Sequence, residues 1–219
     1  MMSTPSFIAR VTYPFMSVSI QAQFAEAQRE IREYLPAEST LTDAERRRIL
    51  RRYAAAISGN FISWMAAAIT CCRSVEGRYA AEENVRVEVA ENHPGMLRNF
   101  VLGSGAVPAP DDYAYVDCYV TDVQREVSQM SGLFLTCLLG ILENTSAEFI
   151  PWLAAISKSL GNQDFQYTDV HGLADVGHAE QFRWALEKES ALYPNAESEI
   201  AQAISIAVKF LKGILSPAG

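Results

Sequence analysis

Tyr167-Thr168-Asp169-Val170-His171-Gly172-Leu173-Ala174-Asp175-Val176-Gly177-His178-Ala179-Glu180 holds two of the chain's three histidines. Read as a helix, it places His171, Asp175 and His178 at i, i+4 and i+7, so the three side chains leave from one stripe. Two neutral imidazoles flanking a carboxylate make a nitrogen and oxygen donor set suited to iron, manganese or zinc, and a helix holds such donors rigidly. The stretch reads as half of a metal site. One helix cannot surround an ion, so the remaining donors have to come from other helices that project them inward, as in a bundle.

The third histidine closes the segment Glu82-Glu83-Asn84-Val85-Arg86-Val87-Glu88-Val89-Ala90-Glu91-Asn92-His93-Pro94. Several of its carboxylates compete as partners for His93. On a straight helix Glu82 lies nearly on the face of His93, and Glu88 lies well off it. A helix end or bulge over Val89 to Asn92 makes Glu88 the partner instead. Glu83 is a candidate additional ligand, while Glu82 and Glu91 read as solvated charges beside the site. Glu143 is the other candidate, because it ends the apolar run Gly132-Leu133-Phe134-Leu135-Thr136-Cys137-Leu138-Leu139-Gly140-Ile141-Leu142, where an acid needs a reason.

The rest of the composition narrows the class. A chain of 219 residues with 49% hydrophobic content is expected to form a single domain over 1–219 with a substantial core. Its net charge of -8 argues against nucleic acid or an anionic membrane as the main partner and favours a small molecule. Cys71, Cys72, Cys118 and Cys137 show no CxxC spacing, so reduced thiols and a cytoplasmic location are expected. No signal-peptide pattern and no apolar run of membrane-spanning length is read from the sequence.

Helix periodicity runs throughout, and no period-2 strand pattern of useful length interrupts it. After residues 1–17, expected as an extended arm or cap, a helix is predicted from Val18 to Tyr34, ended by Pro36. Thr42-Asp43-Ala44-Glu45 is a capping box that starts a long helix through Arg46-Arg47-Arg48 and on to Ile69. The arginine run reads as a solvated face. Pro94 suits the first turn of a segment ending at Gly103, and Gly103 to Asp112 is the clearest loop. Helices are then predicted from Val116 to Glu143, from near Pro151 to Leu160, from Thr168 to Leu192 and from Glu197 to Leu215. The expected fold is all-α, with about seven helices.

These residues resemble the haem-oxygenase-like diiron oxidases and oxygenases, a branch of the fold that also holds the TenA and PqqC enzymes. The resemblance covers roughly residues 45–190 and rests on His171-x3-Asp175-x2-His178 after Phe165-Gln166-Tyr167, on Glu83-Asn84-x3-Glu88 followed by Asn92-His93-Pro94, and on Glu143. It implies a haem-oxygenase-like bundle in which Glu88 and His93, Glu143, and His171, Asp175 and His178 hold two Fe(II)/Fe(III) ions, with Glu83 kept beside Glu88 because the interval between Glu88 and His93 is short for the family. It also implies O2 as co-substrate, a homodimer and a role in natural-product pathways. The implied substrate is an amino acid with a bulky or aromatic side chain, undergoing oxidative cleavage, N-oxygenation or nitrile formation. Lys158, Arg73 or Arg78 would hold its carboxylate, and Tyr79, Phe134 and Tyr167 are candidates to line its site. Two alternatives stand beside this one: a metal-independent enzyme of TenA or PqqC style using Cys137 or a buried glutamate, and a non-catalytic metal- or ligand-binding protein.

Overall fold

The computed structural model describes residues 18–218, so the arm expected over 1–17 lies outside the described residues. Among them are nine α-helices, one short 3-10 helix at Glu38–Thr40 and no strand. The first helix, α1 (Val18–Tyr34), buries Ile20, Phe24, Ala27 and Ile31, the three-to-four residue spacing of an amphipathic helix. The capping box forms at the start of α2 (Asp43–Ile57): Thr42 Oγ1 accepts from the Glu45 amide at 3.3 Å, and Glu45 Oε2 accepts from the Thr42 amide at 2.7 Å.

Two differences redraw the predicted helices, the first of them adding one. The long helix expected from Thr42 divides at Gly59, whose φ of +78° is a conformation that glycine adopts without steric cost, and α3 (Asn60–Cys71) follows. The helix expected over 116–143 also divides. Its first part is α6 (Pro110–Val127), beginning inside the predicted loop. The rest joins the segment carrying Pro151 in one 28-residue helix, α7 (Gly132–Ser159), with Ser131 capping its start. Pro151 removes the bond to the carbonyl of Ala147, but both residues face solvent, where water satisfies that group, so the helix continues.

Helix α7 is the centre of the molecule, buried along most of its length. A connection over 160–165, turning at Gly161, lays α8 (Gln166–Ser190) along it. Helices α1, α3 and α9 (Ala196–Ile214) also pack on α7, while α4 (Val75–Ala90) and α5 (His93–Gly103) pack on α8. By length and composition α7 and the stretch Asp43–Cys71 could each cross a membrane, contrary to the expectation that no segment reaches that length; most of α7, however, is covered by its neighbours in the bundle. The arginine run also does more than face water. Arg48 and Arg52 donate to the carbonyls of Pro217 and Ala218, and Arg52 lies over the Tyr115 ring at 3.2 Å.

Where α7 begins, the backbones of α3 and α7 touch. A β-carbon on Gly132 would lie 2.5 Å from Cys72 Cα and 2.6 Å from Glu189 Oε1, the latter belonging to a buried carboxylate that accepts from the amides of Arg73 and Ser74 at 2.8 Å each. Because backbone cannot step aside as a side chain can, Gly132→Ala is expected to destabilise the fold by about 2 kcal/mol. A lowered urea midpoint at unchanged m checks this.

Candidate metal centre

Which carboxylate faces His93 follows from how α4 stops. Asn92 takes a left-handed conformation (φ 59°), which asparagine tolerates better than most side chains, and ends the helical path after Ala90. Pro94, which has no amide hydrogen to leave unpaired, sits in the first turn of α5. Gly95 makes room for the Asn92 amide, since a β-carbon there would come within 2.3 Å of Asn92 Nδ2. This break brings His93 back over Glu88, with Nδ1 2.8 Å from Glu88 Oε1. Glu82 stays exposed. Glu83 is half-buried and accepts from Arg86 Nε at 3.0 Å, a hydrogen bond that holds its carboxyl below the ordinary carboxylate value.

From α8, His171 joins Glu88 and His93. Its Nδ1 donates to the carbonyl of Tyr167 at 2.8 Å, which fixes the tautomer and leaves Nε2 facing Glu88 Oε1 at 3.6 Å. The rings of His93 and His171 are 4.6 Å apart, centre to centre. One turn along, Asp175 and one turn further His178 meet Glu143 from α7, with His178 Nδ1 3.7 Å from Glu143 Oε2. Each residue of Glu88, His93 and His171 offers a ligand atom within 4.8 Å of the others' atoms, and so does each of Glu143, Asp175 and His178. The stripe read from the sequence is therefore shared between two adjacent triads. All six residues are buried.

Electrostatics distinguish these triads from ordinary core. Burial raises the Glu88 carboxyl, but the facing imidazoles of His171 and His93, the latter hydrogen-bonded to it, outweigh this and bring the value to about 2. Burial pulls down each of the three imidazoles, and neighbouring carboxylates more than offset it, so all three titrate above the ordinary histidine value. Asp175 goes the other way: burial and the charge of Glu143 hold it well above the ordinary aspartate value. Among the described residues no lysine or arginine forms an ion pair with Glu88, Glu143 or Asp175. His178 Nδ1 is buried without a hydrogen-bond partner. Buried carboxylates lacking a fixed cation, beside an imidazole nitrogen lacking a proton partner, form a donor set that fits metal ions.

A narrow cavity of about 50 Å³ adjoins the triads, walled by Tyr53, Ile57, Phe61, Ile62, Leu97 and Phe149 among others. Tyr167 lines it, and its hydroxyl lies 2.7 Å from that of Tyr53. The other expected substrate contacts do not reach it. Lys158, Arg78 and Tyr79 are exposed, and Phe134 is buried elsewhere in the core. The rise of a helix explains this: Lys158 lies about 22 Å along α7 from Glu143, Phe134 about 13 Å the other way, and Arg78 and Tyr79 about 14 Å from Glu88 along α4. Arg73 instead packs over the Tyr193 ring at 4.1 Å. No lysine or arginine lines the cavity. Two participants escaped the sequence reading. Tyr53 and Ser146 both line the cavity, with Ser146 Oγ donating to the carbonyl of Glu143 at 2.6 Å, yet each stands in a local pattern that reads only as helix interior.

No protein-family model matches the sequence, and no curated protein is significantly similar to it. A solved structure is similar in fold: a TenA homolog from Pseudomonas syringae pv. tomato aligns over 98% of this chain and 97% of its own length, with a TM-score of 0.63 and 17% sequence identity. The all-α bundle is thus of the TenA-like type.

Proposed function

We propose that this chain is a non-haem diiron oxidase or oxygenase that uses O2 to oxidise a small molecule. The observation carrying the proposal is the pair of buried triads, Glu88, His93 and His171 beside Glu143, Asp175 and His178, both drawing on α8. Glu88, His93 and His171 would hold one iron, and Glu143, Asp175 and His178 the other. Bound there in the ferrous state, two irons supply electrons for the reduction of O2.

The protein's own groups do the rest. The Tyr167 carbonyl holds the His171 ring by its Nδ1 hydrogen, leaving Nε2 as the donor. The apolar wall made by Ile57, Phe61, Ile62, Leu97 and Phe149 excludes bulk water and receives an uncharged part of the substrate, since no lysine or arginine among the described residues lines the cavity to receive a carboxylate. At about 50 Å³ the cavity takes O2 or a few waters as it stands, so a bulky substrate enters only as the wall side chains shift.

The fold likeness to a TenA homolog favours a second reading, a metal-independent enzyme of that style. Its cysteine version finds no support: Cys137 is fully buried, its thiol is pushed far up by burial, and it is absent from the cavity wall. To separate the readings, the protein is purified without oxygen, loaded with ferrous iron and exposed to O2 while the visible spectrum is followed. Two irons per chain and a transient absorbance band are expected from the two triads. Failure to take up iron, together with no reaction with O2, would move the assignment to the metal-independent reading.

A further inference from the structure

Glu91 reads from sequence as a solvated charge, and its side chain is indeed 54% exposed. Its carboxylate nevertheless turns back to His93, with Oε2 3.3 Å from Nε2. His93 therefore lies between two carboxylates, Glu88 Oε1 at 2.8 Å from Nδ1 on the inner side and Glu91 on the outer side. This arrangement follows from the same left-handed turn at Asn92, which folds the end of α4 around the first residue of α5. The His93 ring itself is buried, with 1% of its side chain exposed, so its orientation is set by these two contacts and by the His171 ring.

Resting on the metal-centre reading above, we infer that Glu91 is a positioning residue for the metal held by Glu88, His93 and His171. A cation among these three takes the nitrogen of His93 that faces Glu88, which is Nδ1. Nε2 then carries the hydrogen and donates it to Glu91, a carboxylate outside the ligand set that fixes the tautomer and the ring plane. The Tyr167 carbonyl does the same for His171 through the opposite nitrogen, so both imidazoles of this triad are held from behind. The Glu143, Asp175 and His178 triad does not use Glu91. The assignment separates Glu91 from Glu83, whose nearest charged partner is Arg86.

The test uses Co(II) alone as probe, titrated into the full chain without oxygen and followed by its visible ligand-field bands, with Glu91→Ala, Glu91→Gln and Glu91→Asp variants. The wild-type protein is expected to bind two Co(II) ions, one per triad. In Glu91→Ala, one of the two should bind roughly 10- to 100-fold more weakly, with its bands shifted, while the other keeps its affinity. Glu91→Gln retains an acceptor oxygen and should recover part of the loss, and Glu91→Asp should lose reach. Thermal unfolding of the metal-free variants should match wild type, because an exposed side chain is replaced. If wild type binds two ions and Glu91→Ala matches it in both affinities and in spectrum, the role of Glu91 is overturned and the centre stands. If wild type binds none, the centre itself is overturned and this inference falls with it.

Discussion

His171→Ala is expected to leave the protein folded with about one iron per chain in place of two, and to reduce iron-dependent O2 consumption by at least about 100-fold. The size follows from comparison with milder changes: losing a group that merely orients a ligand costs 10- to 100-fold, and here the ligand goes. Among the described residues, the imidazole is also the one α8 donor grouped with Glu88 and His93. The ring leaves space beside Tyr167, whose ring centre is 4.2 Å from that of His171, and the Tyr53 to Tyr167 hydroxyl contact remains to hold the wall. Iron content, circular dichroism and oxygen-electrode rates on one preparation check the prediction. Full iron content with full activity would remove the diiron assignment.

Asp175→Asn is expected to act with opposite signs on stability and on metal binding. In the metal-free protein Asp175 is a buried carboxyl beside a second one, Glu143, and its value is held well above that of an unfolded chain. A carboxyl whose folded value is raised costs stability at every pH above its unfolded value of about 3.9, because the chain must fold around a charge it disfavours. Asparagine has nearly the same shape. The metal-free variant should therefore be more stable than wild type at neutral pH by about 1–3 kcal/mol, a rise of several degrees in Tm for a chain of this size. The gain should disappear below about pH 4, where the carboxyl is protonated in both states. Ferrous iron should then reverse the ranking, since binding to the native state at 100 times Kd adds about 2.7 kcal/mol that the variant loses at this triad. Melting curves with and without iron at two pH values read all of this. A variant less stable than wild type when both are metal-free would contradict the account of the site as strained by its own charge.

How much of this was written in the sequence depends on whether the determining geometry is local. The α8 stripe was legible because helical spacing alone puts His171, Asp175 and His178 on one face. Its division between two triads was not, because it depends on where α4, α5 and α7 cross α8. The choice of Glu88 was legible only as a condition, resolved by the left-handed turn at Asn92. The joining of 132–159 into one helix was hidden by Pro151, which reads as a start signal and is tolerated within the helix because the carbonyl it leaves free is on the outside. The substrate contacts misled for a plainer reason. Lys158, Arg78 and Tyr79 share helices with Glu143 or Glu88, but each residue along a helix adds about 1.5 Å of distance along its axis.

All six residues of the two triads lie within helices: Glu88 in α4, His93 in α5, Glu143 in α7 and the other three in α8. A helix advances each residue by about 100° of rotation, so a single-residue insertion between His171 and Asp175 would turn one triad away while leaving the other intact. The connections such as 104–109 and 160–165 carry no ligand, and a change in their length leaves the register of every donor untouched. The architecture therefore permits wide divergence in its loops and its surface while forbidding a change of length between His171 and His178.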